Sequence, residues 1–514
     1  MASIDEKQDQ QVQPQAGGDE QLGRLVAHGF RWSLVSNLSA RVGTLFMGIV
    51  LARLLAPEEY GVYTVAFVAL IILTNTNDLG IETALIRYPG DVDEIGPTAV
   101  TVIAASSVLQ FLIAFAAAPY FARALGSSDA TGVIRLLTVC ILINGAFAVQ
   151  SGLLTREFQQ RRRALADLTG LGISIVATIA LAAAGLGPWS LAWGRVIGNS
   201  VNGVLHFYLA RARYRPGYDR VIARSLLSIG VPLAATFLFA EAVNNVDYVI
   251  VGRVLGSTAL GLYLMAFNLS SWPVSTLSFS VTRVSVPGFA RLQHNREALQ
   301  AAFGRALALV LGLSALVCGV MAVLALSLIR FVYGPPWAGA ALALRFLVVL
   351  GVARVGLQLG YDLLYALARG RATLVIQMLW LAALIPALTY GASHDGIRGV
   401  GIAQMIVVLV IPVPGLLLAL RRAGFSLRGV FGQTPLPLLG AACAVLAAIV
   451  ASAAVHGDLL SLLCGGIAAL GAWALVAARP IYRLARADHA TNADDEEIDE
   501  SDAHAPLAAE QSPI

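Results

Sequence analysis

The sequence predicts an all-α polytopic membrane protein with about fourteen transmembrane helices. Of its 514 residues, 57% are hydrophobic and only 13% are charged, whereas soluble proteins contain about 25% charged residues. Most of its arginines fall into alternate predicted loops, and a stretch of eighteen residues recurs in the second half of the chain. These three observations indicate that most of the chain lies in lipid and that it contains an internal duplication.

Each predicted span is a long apolar run near the about 20 residues that cross about 30 Å of hydrocarbon. We expect helices, because unpaired backbone groups are costly in lipid and the sequence has no alternating strand pattern. The runs lie at 29–54, 60–86, 97–121, 131–154, 165–185, 188–210, 225–252, 260–286, 307–332, 338–367, 372–391, 398–420, 435–455 and 459–478.

The arginines predict the orientation of these spans. If the N-terminus is cytoplasmic, the inner loops hold clusters such as Arg161–Arg163 and Arg421–Arg422. The outer loops then hold only five arginines, which are Arg53, Arg123, Arg253, Arg330 and Arg398. This asymmetry follows the positive-inside rule, and it predicts that the N- and C-termini are both cytoplasmic.

The internal repeat pairs residues 50–67 with residues 250–267 without a gap. Six of the eighteen positions are identical: Arg53/Arg253, Leu55/Leu255, Gly61/Gly261, Tyr63/Tyr263, Ala66/Ala266 and Phe67/Phe267. A duplicated membrane bundle is typical of alternating-access transporters, in which the substrate site lies between two repeats. Convergence of two similar helix hairpins is the alternative to duplication.

Several stretches at the predicted helix junctions resemble a known family. They include LARLLAPEEYGVY, which follows the first helix, and DLGIETALIR, LLTREFQQRRRALA, GLGPWSLAWG and NNVDYVIVGRVLGSTALGLYLMAFNLS, which follow in order. Across about residues 30–370 the sequence resembles the bacterial polysaccharide transporters of the Wzx type. This family belongs to the multidrug/oligosaccharidyl-lipid/polysaccharide exporter superfamily.

The resemblance implies a twelve-helix core of two pseudo-symmetric six-helix lobes, with two further helices. Together with the composition it predicts five segments. These are a disordered N-terminal tail at 1–22, an N-lobe at 23–215, a C-lobe at 216–425, helices 13 and 14 at 426–486, and an acidic disordered tail at 487–514.

The resemblance also implies a function. It implies a flippase that moves a polyprenyl-diphosphate-linked oligosaccharide across the bacterial cytoplasmic membrane during synthesis of lipopolysaccharide or exopolysaccharide. Its expected partners are membrane lipid, a polysaccharide polymerase and export machinery, and not nucleic acid. A drug/cation antiporter of the same superfamily is the first alternative. A membrane polysaccharide polymerase or ligase is the second, although it would need a large outer loop that the sequence lacks.

Sequence motifs for catalysis are absent. The chain has no GxxxxGK[ST] phosphate loop, no HExxH metal motif and no GxSxG nucleophile motif. The cysteines also lack metal-ligand spacing. We therefore expect a protein that is not an enzyme and that uses no cofactor or metal.

Polar side chains within the apolar runs are the candidate substrate site. A charge at the bilayer centre costs about 2.5–3.5 kcal/mol, so it should face a cavity or a partner. Guanidinium groups suit a diphosphate because they stay charged and present forked donors. The predicted binding residues lie on helices one, six, seven and ten and are Asn37, Arg41, Arg195, Asn199, Asn244, Arg354 and Gln358. Ordinary buried contacts between helices are the alternative.

Carboxylates at membrane depth are candidates for a gate or for coupling to H⁺ or Na⁺. They are Asp78, Glu241, Asp247 and Asp362. Structural salt bridges are the alternative role. Because Glu241 occupies the repeat position of Arg41, we also predict that these two side chains lie close together.

Overall fold

A computed structural model describes residues 16–74, 81, 82, 85, 92–157, 159–210, 213–292, 295–367 and 369–478. It is 89% helical, and no strand occurs in these residues. The predicted all-α fold is therefore confirmed. The chain divides into two compact units, Met1–Gly261 and Leu262–Ile514.

The first unit contains seven long helices among the residues described. They are α1 (Ala16–Leu54), α2 (Pro57–Thr74), α3 (Val92–Ala124), α4 (Ala130–Arg156), α5 (Gln160–Ala183), α6 (Pro188–Leu209) and α7 (Arg220–Leu255). Local sequence sets several ends. Pro188 starts α6 after Gly187, which has a φ of +53°. The Asp219 carboxylate caps α7 by accepting hydrogen bonds from the backbone N–H groups of the second and third residues after it.

The second unit is also helical. Its elements are α8 (Ser257–Arg291), which begins before the division, α9 (Arg296–Val323), α10 (Ala325–Val332), α11 (Ala340–Ala366), α12 (Gly370–Val410), α13 (Pro412–Arg422), α14 (Leu427–Phe431), α15 (Pro435–Ala453) and α16 (Asp458–Trp473). Within α12, Asp395 and Gly396 leave helical geometry, and Gly396 has a φ of +57°. This break separates the predicted spans at 372–391 and 398–420.

Nine helical stretches in the described parts of the chain are long and apolar enough to cross a membrane. One of them, Gly370–Arg422, contains both predicted spans beside the break in α12. The chain is therefore a multi-pass membrane protein. The count of fourteen and the lobe boundaries at 215 and 425 stay predictions, and most of both predicted tails lies outside the described residues.

The internal repeat recurs in the burial of its side chains. From Leu51/Val251 to Leu70/Ser270, the two copies have the same degree of burial at all but three of twenty positions. The exceptions are Leu55/Leu255, Ala56/Gly256 and Val68/Asn268. Since burial is set by packing, this agreement supports duplication over convergence.

The repeated glycines, Gly61 and Gly261, lie where the backbones of α2 and α8 approach each other. A Cβ on Gly61 would overlap the backbone carbonyl oxygen of Ser257. A Cβ on Gly261 would lie 2.9 Å from the Pro57 carbonyl oxygen and 3.0 Å from the Gly61 Cα. The first turns of α2 and α8 therefore pack backbone to backbone within the first unit, and only glycine allows that approach.

Replacing Gly61 with alanine should destabilise the protein. The new methyl group meets backbone rather than a movable side chain, and overpacking of this kind costs about 1–3 kcal/mol. We expect a lower Tm for Gly61→Ala in detergent. Gly48→Ala is the control, because a Cβ on Gly48 meets nothing within 4 Å. Equal Tm values for the two variants would contradict the close packing.

Candidate functional site

The first unit contains a polar cavity of about 230 Å³ between α4 and α6. Asn144, Phe147 and Ser151 reach it from one side of α4, at helical spacings of three and four residues. The complete lining is Glu82, Ile143, Asn144, Phe147, Ala148, Ser151, Asn199, Asn202, Gly203 and His206. Amide, hydroxyl, imidazole and carboxylate groups therefore meet in a single opening.

Small residues allow the helices around this cavity to approach. A Cβ on Gly203 would overlap the ring of Phe147. A Cβ on Gly170 of α5 would lie 2.9 Å from the Gly198 carbonyl oxygen of α6, and a Cβ on Gly198 would lie equally close to the Gly170 oxygen. These contacts fix α4, α5 and α6 against one another, so their polar side chains are held in place.

Asp167 of α5 contacts two polar residues of α6 at one end of the cavity, which is the cytoplasmic end in the predicted topology. Its Oδ1 accepts a hydrogen bond of 2.8 Å from Asn202 Nδ2 and lies 3.3 Å from His206 Nε2. Its Oδ2 lies 3.9 Å from Arg163 Nε. The sequence analysis missed Asp167, because nothing in the chain indicates that it faces two polar residues of α6.

Two further hydrogen bonds order the cavity wall. Ser151 Oγ lies 3.1 Å from Glu82 Oε1 and donates to it. Asn199 Nδ2 donates a long bond of 3.4 Å to Asn144 Oδ1. Of the predicted binding residues, Asn199 is therefore the one that lines this cavity.

Arg195 lies one turn before Asn199 on α6 and contacts the repeated motif of the first unit. Its guanidinium carbon is 5.1 Å from the centre of the Phe67 ring. It also lies close enough to the Tyr63 hydroxyl to interact with it electrostatically. The Tyr63 and Phe67 rings are themselves stacked, with centroids 5.8 Å apart.

Arg354 has the corresponding contact in the second unit. Its guanidinium carbon is 5.4 Å from the centre of the Phe267 ring. The neighbouring Tyr263 hydroxyl accepts a hydrogen bond of 3.1 Å from Gln404 Nε2. Each repeat of the Tyr-x-x-x-Phe motif therefore carries one guanidinium over its phenylalanine.

Both guanidinium groups lack an anionic partner in the described part of the chain. The Nε of Arg195 and the Nε of Arg354 are buried and have no hydrogen-bond partner there. Among the described residues, no carboxylate oxygen lies within 4.0 Å of the guanidinium nitrogens of Arg195 or Arg354. An uncompensated charge in an apolar bundle is costly, so both arginines are suited to an anionic ligand.

The other predicted residues of the second unit form one pair. Gln358 Nε2 donates a hydrogen bond of 2.9 Å to Asp362 Oδ1. Asp362 is only 3% exposed, and its Oδ2 has no hydrogen-bond partner among the residues the structure describes. Asp362 thus remains a candidate for ion coupling.

The remaining candidates lie elsewhere. Asn37 and Asn244 are exposed on their helices, and Arg41 is half-buried on α1. The Oε1 of Glu241 accepts a hydrogen bond of 3.0 Å from Asn245 Nδ2. The pairing of Arg41 with Glu241 stays a prediction.

Two candidate carboxylates complete the set. Asp247 is 2% exposed, and its Oδ1 accepts a hydrogen bond of 3.0 Å from the backbone N–H of Tyr248. Asp78 lies outside the described residues.

A family model decides the identity of the chain. The model described as "Polysaccharide biosynthesis protein" matches residues 50–342, which is more than half of the sequence. The chain belongs to this family. The match begins at the first copy of the internal repeat and contains Arg195, Asp167 and the whole cavity lining, and the predicted Wzx-type resemblance is confirmed.

Relatives support the membership in this polysaccharide biosynthesis family. The lipopolysaccharide biosynthesis protein WzxC of Escherichia coli (strain K12) is 25% identical over 395 residues, covering 74% of this chain and 78% of WzxC. The teichuronic acid biosynthesis protein TuaB of Bacillus subtilis (strain 168) is 23% identical over 383 residues, covering 72% of this chain and 76% of TuaB.

Solved structures show which fold this family member has. The lipid II flippase MurJ in an inward closed conformation matches with a TM-score of 0.71 and 13% identity, over 87% of this chain and 98% of MurJ. An inward-facing multidrug resistance MATE family transporter matches with a TM-score of 0.60 and 17% identity, over 75% of this chain and 94% of the transporter. At these identities the likeness concerns the fold alone.

Asp167 and Asn202 should be energetically coupled. Removing Asp167 takes a hydrogen-bond partner from half-buried Asn202, and residues in contact show coupling energies of about 0.5–3 kcal/mol. A double-mutant cycle of Asp167→Ala and Asn202→Ala, measured by SDS-induced unfolding in mixed micelles, should give a value in that range.

The control cycle pairs Asp167→Ala with Ser190→Ala. Ser190 is on α6 as well, but its hydroxyl bonds the Gly187 carbonyl oxygen and it lies more than three turns from Asn202. The control should be additive to within about 0.5 kcal/mol. Additivity in both cycles would show that the Asp167–Asn202 bond is not formed in the folded protein.

Proposed function

We propose that this protein is a flippase that moves an oligosaccharide linked to polyprenyl diphosphate from the cytoplasmic to the outer leaflet of the bacterial cytoplasmic membrane. The N- and C-termini are then cytoplasmic, as the arginine distribution predicts. A polysaccharide polymerase and export machinery take up the translocated product. The observation that carries the proposal is membership of the polysaccharide biosynthesis family over residues 50–342.

The names of the relatives support the substrate class. WzxC is named for lipopolysaccharide, TuaB for teichuronic acid, and the transport protein ExoT of Rhizobium meliloti (strain 1021) for succinoglycan. ExoT is 26% identical over 283 residues, 56% of its length. These names refer to three different polymers, so the shared substrate feature we propose is the lipid-linked diphosphate rather than a particular glycan.

The chemistry of the first unit fits such a substrate. Amide, hydroxyl and imidazole groups of the cavity hydrogen-bond sugar hydroxyls, which both donate and accept. Arg195 lies one turn before Asn199 on α6, and its forked N–H donors suit phosphate oxygens. In the predicted topology α4 and α6 run toward the cytoplasm, so Ser151 and His206 lie near the side on which transport would begin.

Inactivation of the gene tests the proposal. We expect loss of a surface polysaccharide together with accumulation of polyprenyl-linked oligosaccharide at the cytoplasmic leaflet, both reversed by the wild-type gene. Normal surface polysaccharide with increased sensitivity to cationic drugs would instead indicate the antiporter alternative.

Complementation by arginine variants tests the site. Arg195→Ala and Arg354→Ala should each lower the recovered polysaccharide by at least about tenfold, since a charged hydrogen bond contributes about 1.5–3 kcal/mol. The matched controls are Arg135→Ala and Arg345→Ala, which remove exposed arginines from α4 and α11. Full complementation by all four variants, at equal membrane levels, would exclude the anion-binding role.

We also propose that Asp362 couples flipping to an ion gradient. A buried carboxylate oxygen without a partner is costly when charged, and binding H⁺ or Na⁺ relieves that cost. Asp362→Asn should therefore abolish gradient-driven flipping in vesicles while leaving the protein folded. Flipping by the wild type that persists after both gradients are collapsed would disprove the coupling.

A further inference from the structure

The internal repeat extends beyond the matched motifs into α4 and α11. With an offset of 210, Ala130/Ala340, Arg135/Arg345, Leu137/Leu347, Val139/Val349, Leu153/Leu363 and Leu154/Leu364 are identical. From Val133/Ala343 to Ile143/Ala353 the degree of burial agrees at every position but Val139/Val349. At the next position Asn144 is exposed and Arg354 is half-buried. This register places Asn144 opposite Arg354 in the repeat.

A second alignment pairs α6 with the segment of α12 that follows its break. Gly187 precedes α6 with a φ of +53°, and Gly396 precedes the second segment of α12 with a φ of +57°. The offset is 209, and it places Arg195 opposite Gln404. Both side chains contact the tyrosine of their own motif, Arg195 at Tyr63 and Gln404 at Tyr263. The contacts thus agree with the register.

In these two alignments, the arginine of the first unit and the arginine of the second unit lie on helices that do not correspond. The first unit has Asn144 on α4 and Arg195 on α6. The second unit has Arg354 at the position of Asn144, and Gln404 at the position of Arg195. An amide and a guanidinium are therefore exchanged. Despite that exchange, a guanidinium lies over the phenylalanine in both units, at 5.1 Å and 5.4 Å.

Duplication alone does not produce this result. A copied arginine would stay in register, as Arg135 and Arg345 do, and both of these are exposed. The arginines over Phe67 and Phe267 are out of register but have the same ring contact and the same unpartnered Nε. What the two units share is thus the place of the charge and not the helix that carries it.

We propose that Arg195 and Arg354 are equivalent anion-binding residues, one in each unit, and that each binds a phosphate group of the lipid-linked substrate. A guanidinium over a ring keeps its charge and its forked N–H donors, which suit phosphate oxygens. The proposal rests on the function proposed above. It adds that each unit requires a cation over the phenylalanine of its own motif, and that either of two helices can carry that cation.

Moving the arginine within one unit tests the equivalence. Arg195→Gln combined with Asn144→Arg gives the first unit the residues that the second unit has at these positions, an arginine and a glutamine. Arg195→Gln alone should lower polysaccharide recovery by at least about tenfold. The double variant should recover most of that loss. In the second unit, Arg354→Asn combined with Gln404→Arg should likewise recover most of the loss caused by Arg354→Asn alone.

A control variant moves the charge to the wrong place. Arg195→Gln combined with Asn202→Arg keeps a guanidinium at the cavity, but two turns away from Phe67 and beside Asp167, with which it can pair. This variant should show no recovery. Equal recovery from Asn144→Arg and Asn202→Arg would show that any cavity cation suffices. No recovery from either rewritten unit, at wild-type membrane levels, would overturn the equivalence.

A binding measurement separates this proposal from the proposed function. Inorganic pyrophosphate should raise the Tm of the purified wild type saturably, Arg195→Gln should reduce the shift, and the added Asn144→Arg should restore it. Phosphatidylglycerol in nanodiscs is the second ligand. If it raises the Tm and pyrophosphate does not, the arginines bind lipid headgroups and the diphosphate assignment is wrong. If gene inactivation has no effect on polysaccharide but the pyrophosphate shifts follow the arginines, the proposed function fails and the anion sites stand.

Discussion

The central constraint on this molecule is the cost of keeping a guanidinium charge within a bundle of apolar helices. Arg195 and Arg354 are not paired with carboxylates in the described parts of the chain; each lies over an aromatic ring. A cation–π contact contributes about 0.5–2 kcal/mol, which offsets only part of the charge's desolvation. An anion that binds the guanidinium lowers the remaining desolvation cost. The buried charge therefore destabilises the empty protein and favours binding of a substrate that carries phosphate.

Close helix packing holds these rings where the arginines can reach them. Gly61 and Gly261 let the first turns of α2 and α8 meet at backbone distance, and the tyrosine and phenylalanine of each motif follow in the next two turns. Lipid provides no hydrophobic force to bring helices together, so packing of small residues has to do so. The repeated glycine and the repeated aromatic pair are therefore parts of a single structural unit that was duplicated as a whole.

The sequence indicates which residues share a face of one helix, but not which residues of different helices meet. Helical spacing placed Arg195 and Asn199 on one face of α6, and the structure has them near Phe67 and on the cavity respectively. Spacing carried no information about Asp167, because its bonds to Asn202 and His206 join α5 to α6. Asn37 and Asn244 are exposed on their helices, and their role in binding stays a prediction.

The sequence by itself determined the all-helical membrane fold, the duplication and the family, because hydropathy, arginine placement and local motifs are properties of short segments. The tertiary structure alone decided which residues of different helices meet. The break at Gly396 sets where the second segment of α12 begins, and the close contact at Gly61 sets how α2 packs. In the folded protein Arg195 and Arg354 lie over equivalent phenylalanine rings, although they occupy non-equivalent positions of the repeat. The reason is physical: the place of a charge in a bundle depends on how helices pack against each other, and neighbouring letters in the chain do not encode that directly.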